Sequence, residues 1–446
     1  MKRDLLKMIF FGLVISLFFG IANPAKADHW IKAYGLDSFD EFNSIIKTDN
    51  GYIAAGRVGG NAWIMKLDDN GNITWQKSYG EDDSDWLNSI IKTDNGYIAA
   101  GRKRGNAWIV KFDENGNITW QKSYGGDSSD EFNSIIKADN GYIAAGYTYS
   151  FSIEVGYADA WIMKINEDGT IAWQKRYGGS NDDRINSIVK IDDGYIAAGD
   201  SSGDGWIMKI NEDGTIAWQK SYGGSNNDRI NSIVKIDDGY IAAGDSSGDG
   251  WIMKINEDGT IAWQKSYGGS NGYWINSIVK IDNGYIAAGS TYSFGTGNGD
   301  AWIMKLDDNG NIIWQKRYGE DGSDWINSII KTDNGYITAG RTSLGAGNGD
   351  GFVLNLDQDG NVNNCEIIKT SYAEIEDTTV QPVDTAIVPV DTDANPVDTL
   401  VTLHETNISI YTICKSVATV AVPLFGPFGY LVLITLLGFF GYRKSR

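Results

Sequence analysis

The stretch NSIIKTDNGYIAAGRKRGNAWIVKFDENGNITWQKSYG, residues 88–125, decides the fold. Asn88–Thr93 is a short apolar run ending in Asp94-Asn95-Gly96, a hairpin signal. Tyr97-Ile-Ala-Ala-Gly101 follows, with small residues that suit a strand crowded on both faces. A glycine-containing loop leads to Ala107–Phe112, and Asp113-Glu-Asn-Gly116 turns the chain back. Ile118, Trp120 and Tyr124 then alternate with polar residues, as on a half-buried outer strand. These four short antiparallel strands, A to D, make one propeller blade.

The unit repeats. Trp-Ile-Met-Lys or a close relative begins at Trp63, Trp108, Trp161, Trp206, Trp251 and Trp302, with a degenerate copy at Phe352. The steps are 45, 53, 45, 45, 51 and 50 residues. A strand A asparagine recurs at Asn43, Asn88, Asn133, Asn186, Asn231, Asn276 and Asn327, so seven blades are expected. The seventh lacks a good D strand, whereas His29–Gly35 is a D-like strand with no blade before it. The expectation is that 29–35 completes blade seven, because an open ring would expose two sheet edges. The fold class is therefore all-β, a seven-bladed propeller of four-stranded antiparallel blades.

The termini read differently. Residues 1–27 have a basic start, an apolar run and an Ala25-Lys26-Ala27 exit, as in a secretory signal peptide. Residues 417–446 hold an apolar stretch of membrane-spanning length followed by Arg443, Lys444 and Arg446. The propeller is expected over 28–369. Residues 370–416, with Pro-Val-Asp-Thr at 382, 389 and 396, are expected to form an extended polar stalk. Cys365 and Cys414 are the two cysteines, and they are candidates for a disulfide in an oxidising compartment.

The formal net charge is −20, and both terminal segments are basic, so the part between them is more acidic still. That excludes nucleic acid as a natural partner. Only His29 and His404 are present, which removes Ser-His-Asp triads and histidine metal sites from the repeats. No unique carboxylate pair stands out for glycoside hydrolysis. The Asp68-Asp-Asn-Gly71 type of turn reads as a hairpin rather than a calcium loop. No cofactor is expected, although acidic loops such as Glu81–Asp85 leave weak calcium binding open.

Thirteen of the 16 tryptophans sit at repeat positions and read as core. The other three, Trp86, Trp274 and Trp325, immediately precede or open strand A. The same position holds Glu41, Glu131, Arg184 and Arg229 in the remaining blades. It lies on the face of the B–C and D–A loops, the most variable face, which makes these seven the candidate binding residues.

Leu67-Asp-Asp-Asn-Gly-Asn-Ile-Thr-Trp75 resembles the strand–turn–strand signature of quinoprotein-like propeller repeats. That family's cofactor site uses an adjacent cysteine pair, which this chain lacks, so the quinone is not carried over. Residues 29–365 more closely resemble secreted bacterial and archaeal proteins with WQKSYGG…GYIAAG…DAWIMKLD repeats, which implies an exported or surface propeller. The tail, with Val422-Pro-Leu-Phe-Gly-Pro427 before the apolar stretch, resembles exosortase-type sorting signals and implies a sorting peptidase as partner. The resulting expectation is a non-enzymatic binding or scaffolding module at the cell surface, whose ligand is an envelope polymer, glycan or protein. A polysaccharide-active enzyme and a purely structural envelope protein are the alternatives.

Overall fold

The computed structural model describes residues 29–36, 39–80, 84–224, 227–269, 272–293, 299–320, 322–345, 349–371 and 374–378, then the short strands named below up to Lys415. The expected signal peptide and membrane segment lie outside these residues. Among the described residues, no helix is long and apolar enough to cross a membrane. His29–Lys415 forms one compact unit.

That unit is a closed seven-bladed propeller. Blade 1 runs A, Glu41–Thr48; B, Gly51–Val58; C, Asn61–Leu67; and D, Ile73–Tyr79. The next five blades repeat this order. Blade 7 has A at Trp325–Thr332, B at Gly335–Thr342 and C at Asp350–Asp357. Its D strand is the N-terminal strand Trp30–Gly35, antiparallel to C with Trp30 opposite Asn355 and Tyr34 opposite Gly351. The ring thus closes as the sequence implies.

The core lies between blades and not within them. Strand alternation sends Ile53, Ala55 and Ile64 of blade 1 against Leu87, Ile90 and Trp108 of blade 2. Ala54 and Met65 turn the other way, toward Ile337 and Val353 of blade 7. Every strand C tryptophan, and Phe352 in its place, is fully buried in such a seam. The strand D tryptophans of blades 1 to 6 are half-buried over the same clusters, whereas Trp30 in blade 7 is fully buried, and Trp120, Trp173 and Trp218 donate to carbonyls of the next blade's C–D turn. Large flat side chains fill the wedge between twisted sheets.

Two further sets of bonds run around the ring. Tyr34, Tyr79, Tyr124, Tyr177, Tyr222, Tyr267 and Tyr318 each donate to a glycine carbonyl in the next blade's turn. Each A strand also bulges at its asparagine: Phe42 pairs with Gly56 and Ser44 with Ala55, leaving Asn43 unpaired. A bulge re-aims a side chain. Here it turns the asparagine toward the next blade, and Gly56 is needed opposite, because a Cβ there would lie 2.0 Å from the Glu41 carbonyl.

Residues 370–416 correct the expected stalk. Instead of standing apart, the chain after strand C of blade 7 adds a fifth, outermost strand to every blade. Ile368–Thr370 pairs with strand D of blade 6, Glu374–Asp377 with blade 5, and Val383–Asp384 with blade 4. Val390–Asp391 pairs with blade 3, Val397–Asp398 with blade 2, and Leu403–His404 with blade 1. Ser409–Lys415 then flanks Trp30–Gly35 in blade 7. The propeller unit therefore extends to Lys415 and not to 369. The physical reason is that each D strand ends its sheet with unpaired amides and carbonyls, which a polar extended segment satisfies.

Candidate functional site

The seven residues singled out in the sequence form one ring at the A-strand entrance of the central axis, each two residues before a bulged asparagine. Their strand B partners, fixed by register, complete the site. Glu41 faces Arg57, Trp86 faces Arg102, Glu131 faces Tyr147, and Arg184 faces Asp200. Arg229 faces Asp245, Trp274 faces Ser290, and Trp325 faces Arg341.

The ring divides into three sectors. Across blades 7 and 1, Trp325 Nε1 and Asn327 Nδ2 both donate to Glu41 Oε1, at 3.2 and 2.8 Å, and Arg57 pairs with Glu41 Oε2 at 2.9 Å. The Arg341 guanidinium lies between the Phe39 and Trp325 rings, 3.5 and 4.6 Å from their centroids. Across blades 2 and 3 the arrangement recurs. Trp86 Nε1 and Asn88 Nδ2 donate to Glu131 Oε1 at 3.0 and 2.7 Å, Tyr147 donates to Oε2 at 2.7 Å, and Arg102 stacks over Trp86. Trp86 and Trp325 are thus half-buried, with their indole N–H groups engaged. The glutamate of the next blade draws each of them in.

Blades 4 and 5 make the open sector. A polar cavity of about 350 Å³ is lined by Tyr157, Arg184, Asp200, Ser202, Asn227 and Arg229, among others. The Arg184 side chain donates to Tyr149 Oη and Asp182 and packs over the Tyr147 ring. Arg229 is exposed. Burial pushes the Asp245 carboxyl up to about 6, an effect that Arg229 partly offsets. Burial likewise raises Asp200, against the pull of Arg229 and Arg184. In blade 6, Trp274 packs edge-on against Tyr292 with centroids 4.9 Å apart.

Sequence reading missed Phe39, Arg57, Arg102, Tyr147, Asp200, Asp245 and Arg341. The signal was the constant strand B offset opposite each ring residue, 16 positions downstream. The arginines gather here, whereas Lys47, Lys92, Lys137 and Lys331 lie at the other end of strand A, each paired with an aspartate of the preceding blade's A–B turn. That opposite face has its own cavity of about 290 Å³, lined by Asp282, Lys305, Ile313 and Lys331 among others.

Carboxylates elsewhere follow the repeat. Asp40, Asp130, Asp183, Asp228 and Asp324 are buried before or at the start of strand A and accept loop amides, as in Gly179 N to Asp183 at 2.8 Å and Gly224 N to Asp228 at 2.8 Å. The C–D turns are closed by their own aspartates: Asp68 Oδ1 accepts from the amides of Asn70 and Asn72. Among the described residues, no group of three or more His, Cys, Asp or Glu is arranged to hold a metal, and 81–83 lie outside them. Cys365 and Cys414 are joined as a disulfide, with Cα atoms 5.5 Å apart.

No family model matches the chain, and no curated protein matches it. Among solved structures it is similar to the WD40 β-propeller domain of Doa1, at 14% identity and a TM-score of 0.48, covering 73% of this chain and 96% of that one. It is also similar to a protein from Bacteroides fragilis provisionally described as a 6-phosphogluconolactonase, at 11% identity and 0.46, covering 81% and 99%. A protein of unknown function from Bacteroides caccae matches at 12% identity and 0.36, covering 64% and 93%. At these identities the likenesses concern fold alone. The blade count and closure stand on the strand pairing itself.

Proposed function

We propose that this chain is an exported, non-enzymatic binding or scaffolding propeller that takes its ligand on the B–C/D–A face, in the open sector of blades 4 and 5 around Arg184 and Arg229 and on Trp274 of the neighbouring blade 6. One observation carries the reading. Around a sevenfold scaffold, this ring differs in chemistry from blade to blade, and its two glutamates are already consumed. Glu41 and Glu131 each accept three hydrogen bonds from neighbouring side chains. A general acid or nucleophile needs a carboxyl free to meet substrate; the buried aspartates at the head of strand A recur as loop anchors, and Asp200 and Asp245, found only in blades 4 and 5, face Arg184 and Arg229 and accept from Asn186 and Asn231. Asymmetry without a free catalytic pair favours recognition. Export and surface retention rest on the terminal segments and their resemblance to a signal peptide and a sorting signal.

The test is a binding panel of glycans, envelope polymers and peptides against the unit His29–Lys415, with and without calcium, followed by a product assay on every hit. Saturable binding that R229A and W274A weaken at least about tenfold, with the ligand left intact, is expected. Cleaved product would transfer the site to the polysaccharide-active class. Failure of every probe would leave a purely structural envelope role.

A further inference from the structure

The girdle's register has a period. The lysine two residues before each strand D tyrosine stands opposite a residue that advances by seven. Lys316 faces Thr370, Lys265 faces Asp377, and Lys220 faces Asp384. Lys175 faces Asp391, Lys122 faces Asp398 and, after blade 1, Lys32 faces Thr412. Seven extended residues reach at most about 23 Å, and within that span the chain passes from one outer strand to the next. The repeated Pro-Val-Asp-Thr is therefore a spacing device: each period carries the chain from one outer strand to the next.

The ends of this segment are joined. Cys365 follows strand C of blade 7 and the turn at Gly360, where that blade's own D strand would begin. Cys414 lies in the last girdle strand, opposite Ile31. Their disulfide packs on the blade 6–blade 7 cluster together with Ile368 and Ile413. The N-terminal strand Trp30–Gly35 is held between strand C of blade 7 and Ser409–Lys415.

We infer that residues 365–414 form a covalently closed hoop around the propeller, with the Cys365–Cys414 bridge as its clasp. The hoop visits blades 6, 5, 4, 3, 2, 1 and 7 in turn, making one full circuit before it meets its own beginning. Six steps of seven residues carry the register from Thr370 on blade 6 to Thr412 on blade 7, so 42 of the 49 positions between the two cysteines are used in passing from blade to blade. In the oxidised chain the blade 7 seam is held twice. Strand Trp30–Gly35 pairs across it, and the hoop forbids the widening that parting the blades requires. Opening the clasp, by reduction, or the hoop, by one backbone cut, frees the seam to part.

The experiment opens the hoop in two independent ways on folded chain. Residues 385–389, between the girdle strands on blades 4 and 3, are replaced by a specific protease site of the same length, and the purified protein is cut. Its pieces stay joined through the disulfide and separate on a reducing gel. In parallel, the uncut protein is reduced, or carries C365S and C414S. Unfolding in denaturant is followed by tryptophan fluorescence. Relative to uncut, oxidised protein, each opening is expected to raise the unfolding rate at least about tenfold. A cut protein that unfolds at the uncut rate overturns the hoop, whether or not reduction acts, because the bridge would then only staple blade 7 locally. The cut arm starts from folded protein, so the proposal stays testable even if the cysteine variants fail to fold.

Discussion

Asn327, in strand A of blade 7, donates its side-chain amide to the main-chain carbonyl of Phe42 in blade 1, at 3.1 Å and 285 positions away. It closes a belt. Asn43 donates to Leu87, Asn88 to Phe132, Asn133 to Ile185, Asn186 to Ile230, Asn231 to Ile275 and Asn276 to Ile326. Seven equivalent bonds return to their start with no blade left out. The same bulge that aims each asparagine also places the ring residue two positions earlier, so belt and candidate site are products of one local feature.

The belt predicts a graded cost. In N276A a carbonyl loses its side-chain donor inside a half-buried seam, which costs about 1–2 kcal/mol. N327A additionally strips a donor from Glu41 and is expected to cost more, about 2–3 kcal/mol. Urea unfolding of the two variants decides it. Equal midpoints for N276A, N327A and the parent would mean that the belt contributes nothing.

Glu131 gives a sharper test of structural against catalytic use. It accepts from Trp86, Asn88 and Tyr147, so E131Q turns an amide N–H₂ toward groups that are themselves donors. The expected loss is about 1–3 kcal/mol of stability, with ligand binding in the open sector of blades 4 and 5 retained. A fully stable E131Q with abolished activity on any substrate would contradict the arrangement described here.

Much of this was legible in the residues. The strand-period alternation, the hairpin turns and the spacing of the strand C tryptophans specify blades, and the orphan D strand at Trp30 specifies closure. The girdle was not legible as part of the fold. Read alone, Val-Asp-Thr is too polar to make a core, and its partner is a row of strand edges that exists only once the ring is built. The period of seven at 382, 389 and 396 was visible, but its meaning depends on the distance between outer strands. The site was half legible for a similar reason. Ring residues announce themselves by variation, whereas Arg57, Arg102 and Arg341 matter through a cross-strand register that the bulge sets.

Acidity should stabilise this protein before it destabilises it. Burial pushes the carboxyls of Asp183, Asp245 and Asp324 up to about 6. Unfolded, they titrate near 4. Between these values the folded chain binds more protons, so their contribution is complete below about pH 4 and lost as pH rises through about 6. In the opposite direction, lysine partners hold exposed Asp94, Asp139, Asp282 and Asp333 below the ordinary carboxylate value, and that support is lost as pH falls below about 4. The melting temperature is expected to rise from pH 8 to a maximum near about pH 5 and then fall. Relief of the overall negative charge acts in the same sense, so the triple variant D183N/D245N/D324N isolates the three groups by flattening the rise. A melting temperature that declines steadily from pH 7 to 5 would exclude this account.

The girdle's charge register can be reversed without touching the disulfide. Asp377, Asp384, Asp391 and Asp398 stand opposite Lys265, Lys220, Lys175 and Lys122. Directly opposed charges of unlike sign stabilise antiparallel strands by about 0.2–1 kcal/mol per pair, and like charges destabilise them similarly. Changing all four aspartates to lysine sets four repulsions along a segment whose strands on blades 4, 3 and 2 are only two residues long. The blades keep their inter-blade cores, so tryptophan emission and circular dichroism of the oxidised protein should hardly change. Amide exchange over 377–398 should accelerate at least about tenfold, and limited proteolysis should cut first within that span. Restoring the opposition by also changing Lys122, Lys175, Lys220 and Lys265 to glutamate should return protection. Exchange rates indifferent to all three charge patterns would show that main-chain pairing alone holds the girdle, with its aspartates serving solubility and nothing more.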